Sequence, residues 1–264
     1  MSVNFHRAGS GPPLVLVHGV GLRWQVWRPV IERLIGSFDV IACDSPGFGR
    51  SAPLPAGVEP TIPAYAEVFS GLFKDLGVRR PHVAGNSMGG AIALELARRR
   101  EVASATTFSP AGFWTPAERG YCQLSLGLVA GLPQPLRSPV RALAATRAGR
   151  VALFKQTFGW PRRIPASDAL AILENALSAP AFAPALKAFD HYDFSAGEEL
   201  RATPVTIAWG RDDRLLIYAL QAPRARSRLP FARHVTLGAG HVPFFDDPAA
   251  VTETIRVTAA ASQS

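Results

Sequence analysis

Short apolar runs rich in β-branched residues alternate along the chain with longer stretches of helical periodicity. PPLVLVHG (12–19) is a continuous apolar run ending in glycine, as expected of a buried strand. WQVWRPVIERL (24–34) has helical spacing, FDVIACD (38–44) reads as a second strand, and the turn-rich SPGFGRSAPLP follows. PAYAEVFSGLFKDLG (63–77) is an amphipathic helix with proline at its start and glycine at its end. RPHVAGNS (80–87) is a strand, MGGAIALELARRR (88–100) a helix and VASATTFSPAG (102–112) another strand.

This order predicts an α/β fold with a mostly parallel central sheet and helices on both faces. Ligands in such sheets bind at the carboxyl ends of the strands, so functional residues belong just after the strand runs. The alternation breaks over 113–196, where helical pieces are punctuated by prolines and no strand is evident. SDALAILENAL (167–177) is one such helix, with Ser167 as its expected N-cap. The stretch is expected to be a helical insertion above the carboxyl edge, dividing a core made of residues 1–112 and 197–264. Strands resume at TPVTIAWG (203–210) and ARHVTLGAG (232–240), and DPAAVTETIRVTAAA is a final helix. Between them, Pro223 is expected to interrupt LLIYALQAPRARSRL, and the closing SQS to be disordered.

Composition narrows the partners. The chain has 264 residues, of which 48% are hydrophobic, enough for a sizeable core. No apolar run approaches the about 18 residues that would span a bilayer. MSVNFHRAGSGPP lacks the features of a signal peptide, so a cytoplasmic protein is expected. The net charge is +8, but it comes mostly from isolated arginines with no lysine-rich tail; a small-molecule substrate is expected and a nucleic-acid partner is not. The insertion has nine basic and five acidic side chains, a net +4. Cys43 and Cys122 match no metal or redox spacing and read as buried thiols. Oligomeric state is not legible.

The chemistry gathers at three corners. GNSMG (85–89) is a G-x-S-x-G between a strand and a helix, the context of a nucleophile elbow. A sharp turn there leaves no room for a β-carbon at Gly85 or Gly89, strains Ser87 and turns its hydroxyl outward. Met88 opens the helix, so its N–H is a free donor suited to an oxyanion. A serine nucleophile needs a base. Of six histidines, His241 in GAGHVPF directly follows the last strand on the correct edge. His18 reads as holding a loop, His82 and His234 lie at strand beginnings, His6 is N-terminal and His191 lies in the insertion. The orienting carboxylate comes from WGRDDRL, where both Asp212 and Asp213 are on the correct edge. The loop VHGVG (17–21) supplies a second oxyanion donor, the N–H of Val20.

With HGVG, DSPGFGRS, GNSMGG, WGRDD and GHVPFFDDP in place, the chain resembles the α/β-hydrolase superfamily over nearly its whole length. The resemblance implies the α/β-hydrolase fold, and selects Asp213, at the end of G-x-x-D, as the acid. It implies a structural role for Asp44 in DSPGFGRS, and makes the insertion a cap over the active site. It implies a serine hydrolase of small to medium esters, thioesters or lactones, with Ser87, His241 and Asp213 as triad, Val20 and Met88 as oxyanion donors, and no metal or organic cofactor. GNSMGG is also similar to hydrolases that cleave carbon–carbon bonds in meta-ring-fission products. Those carry tryptophan after the histidine where this chain has Val242. A non-catalytic ligand-binding protein on the same fold is the third reading.

Overall fold

The computed structural model describes residues 2–195 and 197–262, so two of the three residues of the closing SQS, Gln263 and Ser264, lie outside the described residues. In chain order the strands and α-helices are β1 (Phe5–Ala8), β2 (Pro13–Val17), α1 (Arg28–Leu34), β3 (Asp39–Cys43), α2 (Ile62–Asp75), β4 (His82–Asn86), α3 (Met88–Arg98) and β5 (Ser104–Phe108). Five helices come next: α4 (Pro116–Ala130), α5 (Gln134–Ala145), α6 (Arg147–Phe154), α7 (Ala166–Ser178) and α8 (Phe182–Ala188). The chain then returns through β6 (Val205–Gly210), α9 (Tyr218–Arg228), β7 (Arg233–Leu237) and α10 (Pro248–Ala260).

The seven strands form one sheet in the order β1-β3-β2-β4-β5-β6-β7. Every pairing is parallel except β1 with β3. The continuous apolar runs have a direct cause: β2, β3 and β4 are covered on both faces. Val15 and Val17 point into a core shared with α2, α3 and α9, whereas Leu14 and Leu16 point into one shared with α1 and α10. This is the period-2 alternation of a strand buried on both sides. From β2 the chain steps outward to β3, then crosses back to β4 on the other side of β2. That reversal opens a crevice at the carboxyl ends of β2 and β4, where parallel sheets bind ligands.

Two local expectations are corrected. The helix expected to have Ser167 as its N-cap starts two residues earlier: its cap position is Pro165, which makes no side-chain cap bond, and its first residue is Ala166. Proline at φ −56° is already set for the entry to a helix. Pro223 does not interrupt its segment either: α9 runs through it. One missing N–H is outweighed by anchoring, since Arg224 donates to the Phe113 carbonyl and to Glu118, and Arg228 donates to the Gly112 and Phe194 carbonyls.

Candidate active site

The loops at the carboxyl ends of β2, β4, β6 and β7 converge on one cavity of about 250 Å³, lined by Gly19 to Leu22, Ser87, Leu215, His241 and helices of the β5–β6 segment. At its floor, Ser87 joins β4 to α3 with φ 55° and ψ −116°, a region that L-residues avoid. Its neighbours are glycines for a steric reason. A β-carbon on Gly85 would lie 2.0 Å from the Gly89 carbonyl oxygen, and one on Gly89 would lie 2.2 Å from the Val17 oxygen. The strand, the helix and β2 therefore meet backbone to backbone. Ser87 is held by its main chain: its N–H donates to the Phe108 carbonyl, and its carbonyl accepts from Ala91 and Ala111. Its hydroxyl makes no hydrogen bond with any described residue.

Across the cavity, His241 Nδ1 lies 2.8 Å from Asp213 Oδ2, and both residues are 3% exposed. A carboxylate can only accept here, so Nδ1 carries a proton and donates it to Asp213 Oδ2. The other Asp213 oxygen accepts from the N–H groups of Leu215 and Leu216 at 3.0 and 2.8 Å, which fixes the carboxylate's rotation. Asp212 points elsewhere: its side chain is half-exposed and faces Arg214. Geometry thus separates two aspartates that are adjacent in sequence.

The Val20 and Met88 N–H groups donate to no acceptor among the described residues, and Val20 lines the cavity while Met88 opens α3. The remaining histidines are engaged elsewhere. His18 is fully buried; its Nδ1–H donates to the Gly19 carbonyl and its Nε2 accepts from the Ser45 N–H at 2.9 Å. Burial pushes its pKa down, against the opposing field of Asp44, so the ring is a neutral strut under the Gly19–Leu22 loop. His82 bonds to Ser104, His234 donates to the Leu229 carbonyl, His6 stacks on Trp24, and His191 is exposed in a short turn after α8. Asp44 is buried and accepts from Asn4, the Trp24 N–H and the Arg50 N–H, which orders the 45–51 loop. Both thiols are buried, and burial pushes Cys122 up to about 12.

Three side chains that the sequence reading did not place hold these loops together. Asn86, beside the elbow, donates from Nδ2 to the Phe108 and His241 carbonyls at 2.9 and 2.8 Å, pinning the His241 loop to β5. Asp246 accepts from Gly159, Trp160 and Gly240, joining the same loop to the segment after α6. Asn175 of α7 donates to the Gly21 and Leu22 carbonyls at 2.8 and 2.7 Å and accepts from the Gly49 N–H at 3.2 Å. Phe182 of α8 occupies the space that a side chain on Gly21 would need. Two of them lie inside motifs visible in the sequence, Asn86 in GNSMGG and Asp246 in GHVPFFDDP, whereas Asn175 lies in none.

This architecture, with its strained serine elbow, is that of an α/β hydrolase. The pattern of the Alpha/beta hydrolase family matches residues 14–254, and the chain belongs to that family and is an enzyme. It is similar to the pimeloyl-[acyl-carrier protein] methyl ester esterase of Aeromonas hydrophila, with 30% identity covering 97% of this chain and 98% of that one. A shorter likeness, 36% over 102 residues, covering 38% of this chain and 37% of the other, links it to the 2-hydroxy-6-oxo-2,4-heptadienoate hydrolase of Pseudomonas putida. An esterase from Thermogutta terrifontis shares the fold, with a TM-score of 0.76 at 24% identity over 99% of this chain and 94% of that one. Among the described residues, no single helix is long and apolar enough to cross a membrane.

Proposed function

We propose that this enzyme hydrolyses a carboxylic ester, thioester or lactone through an acyl-enzyme on Ser87. The observation that carries the reading is the shared cavity: Ser87, on its strained corner, and His241, oriented at 2.8 Å by Asp213, line the same space. His241 Nε2 takes the Ser87 proton as Oγ bonds to the substrate carbonyl carbon. The Val20 and Met88 N–H groups bear the oxyanion, and loss of one such donor costs about 10²–10³ in rate. His241 returns the proton to the leaving oxygen or sulfur as its bond to the carbonyl carbon breaks. Water then adds to the acyl carbon, gives a proton to His241, and the acid leaves as Ser87 regains its hydrogen. Asp213 stays ionised and stabilises the imidazolium. The 113–196 segment acts as a cap, contributing the upper cavity wall from α4 to α8.

Carbon–carbon hydrolysis of a ring-fission dienoate is less well supported, although one relative acts on such a compound. That substrate carries a carboxylate, and among the described residues no lysine or arginine lines the cavity. The test is labelling with a fluorophosphonate and turnover of p-nitrophenyl butyrate. Both are expected in the native enzyme and both are expected to vanish in Ser87→Ala; retention of either in that variant refutes the assignment.

A further inference from the structure

Resting on the esterase reading, we propose that the cavity selects an uncharged aliphatic acyl chain and rejects one that ends in a carboxylate. The acyl group is the part of the substrate that stays on Ser87 after the first half-reaction, so it is the part an enclosing wall retains. That wall is built from Leu126, Leu132, Val140, Leu153, Ile172 and their apolar neighbours on α4 to α7. Its polar members are Asn86, Ser87, Gln156, Thr157 and His241, and among the described residues no Lys, Arg, Asp or Glu contributes to it.

The surroundings sharpen the point. The segment from 113 to 163 carries eight basic side chains and one acidic one, yet none of them lines the cavity. Among the described residues Arg150 is the sole buried arginine; its Nη1 donates to the Ala144 and Ala145 carbonyls at the end of α5. A carboxylate at the far end of the chain would meet apolar walls with no counter-ion, and an unpaired buried charge is strongly disfavoured. The opening is also placed. Leu128 and Val129 line the cavity and are 69% and 37% exposed, so the cavity opens at the last turn of α4 and the chain's far end lies just inside this apolar rim. Leu124, one helical turn earlier and 68% exposed, continues the apolar surface outside.

The experiment compares p-nitrophenyl octanoate with mono-p-nitrophenyl suberate, which has the same chain length and a terminal carboxylate, on the full-length enzyme. The neutral ester is expected to have the higher kcat/KM by roughly a hundredfold or more. From acetate to octanoate, kcat/KM should rise by up to about fourfold per methylene. Equal or faster turnover of the suberate overturns the proposal and would point to Arg150 as the counter-ion. The variant Leu128→Lys, at an exposed position that tolerates a charge, should raise the ratio of suberate to octanoate kcat/KM at least roughly fivefold. No gain there overturns the placement of the chain's far end. Absence of Ser87-dependent fluorophosphonate labelling would instead refute the esterase reading itself, and the proposal with it.

Discussion

Asn175 offers the sharpest test of how the segment above the sheet governs the chemistry below it. Its side chain, 6% exposed, makes three hydrogen bonds to two loops: with the Gly21 and Leu22 carbonyls and with the Gly49 N–H. Asn175→Ala removes all three and leaves three main-chain groups without their partner. An unsatisfied buried group costs about 1–3 kcal/mol, and water entering the vacated space recovers part of that, so the expected loss is about 2–4 kcal/mol. The Gly21 and Leu22 carbonyls lie directly after Val20, whose N–H is the proposed oxyanion donor. Loosening them should lower kcat on p-nitrophenyl butyrate by about tenfold or more, bounded by the ~10²–10³ cost of losing a donor outright. KM should move little, because α4 to α6 still form the far wall. Asn175→Asp is the informative companion. It keeps the size and the acceptor for Gly49 but turns a carboxylate toward two carbonyls, and should be at least as slow as the alanine variant. Urea unfolding followed by tryptophan fluorescence reads the stability, and steady-state kinetics reads the rest. A stability loss with kcat unchanged within about twofold would show that the clamp serves the fold alone and refute the coupling.

Other consequences are as direct. Asp213→Asn keeps the Oδ1 acceptor for Leu215 and Leu216 but presents an amide to His241, favouring the wrong tautomer; kcat should fall by about 10⁴, with circular dichroism unchanged. Gly85→Ala forces a β-carbon to 2.0 Å from the Gly89 oxygen, so its melting temperature should drop by the equivalent of about 3 kcal/mol. A variant as stable as the parent would contradict the backbone contact at the elbow. Burial depresses the pKa of His18, His82 and His234, so the unfolded chain takes up their protons first on acidification. Their contribution to stability is complete above the ordinary value of 6.5 and is lost as pH falls below it toward the depressed folded values. The urea midpoint should therefore fall between about pH 7.5 and about pH 5.5, and fall less in His82→Gln; an unchanged midpoint would contradict the sign.

Much of this protein was legible before any coordinates. Continuous apolar runs such as PLVLV and VIAC mark strands buried on both sides, because only such strands dispense with a polar face. G-x-S-x-G announces the elbow, because no other residue fits where Gly85 and Gly89 touch backbone. The position of His241 after the last strand follows from the parallel sheet, which brings the chemistry to one edge. β1 was less visible: FHRA is a short edge strand with alternating exposure and little apolar signal.

What the tertiary structure decided is what distant residues do to one another. Asp212 and Asp213 differ by one position, and only the turn after β6 sends one to His241 and the other to solvent. Pro223 obeys its local preference until Arg224 and Arg228 anchor α9 to the start of the 113–196 segment. The contacts of Asn86, Asp246 and Asn175 were decided by the tertiary structure, since a hydrogen bond to a main-chain group leaves no pattern in the partner's sequence. Nor does the absence of charge from a cavity. The arginines of 113–163 are plain in the sequence, but their turning away from the cavity is a property of packing, set by five helices folding over one sheet edge.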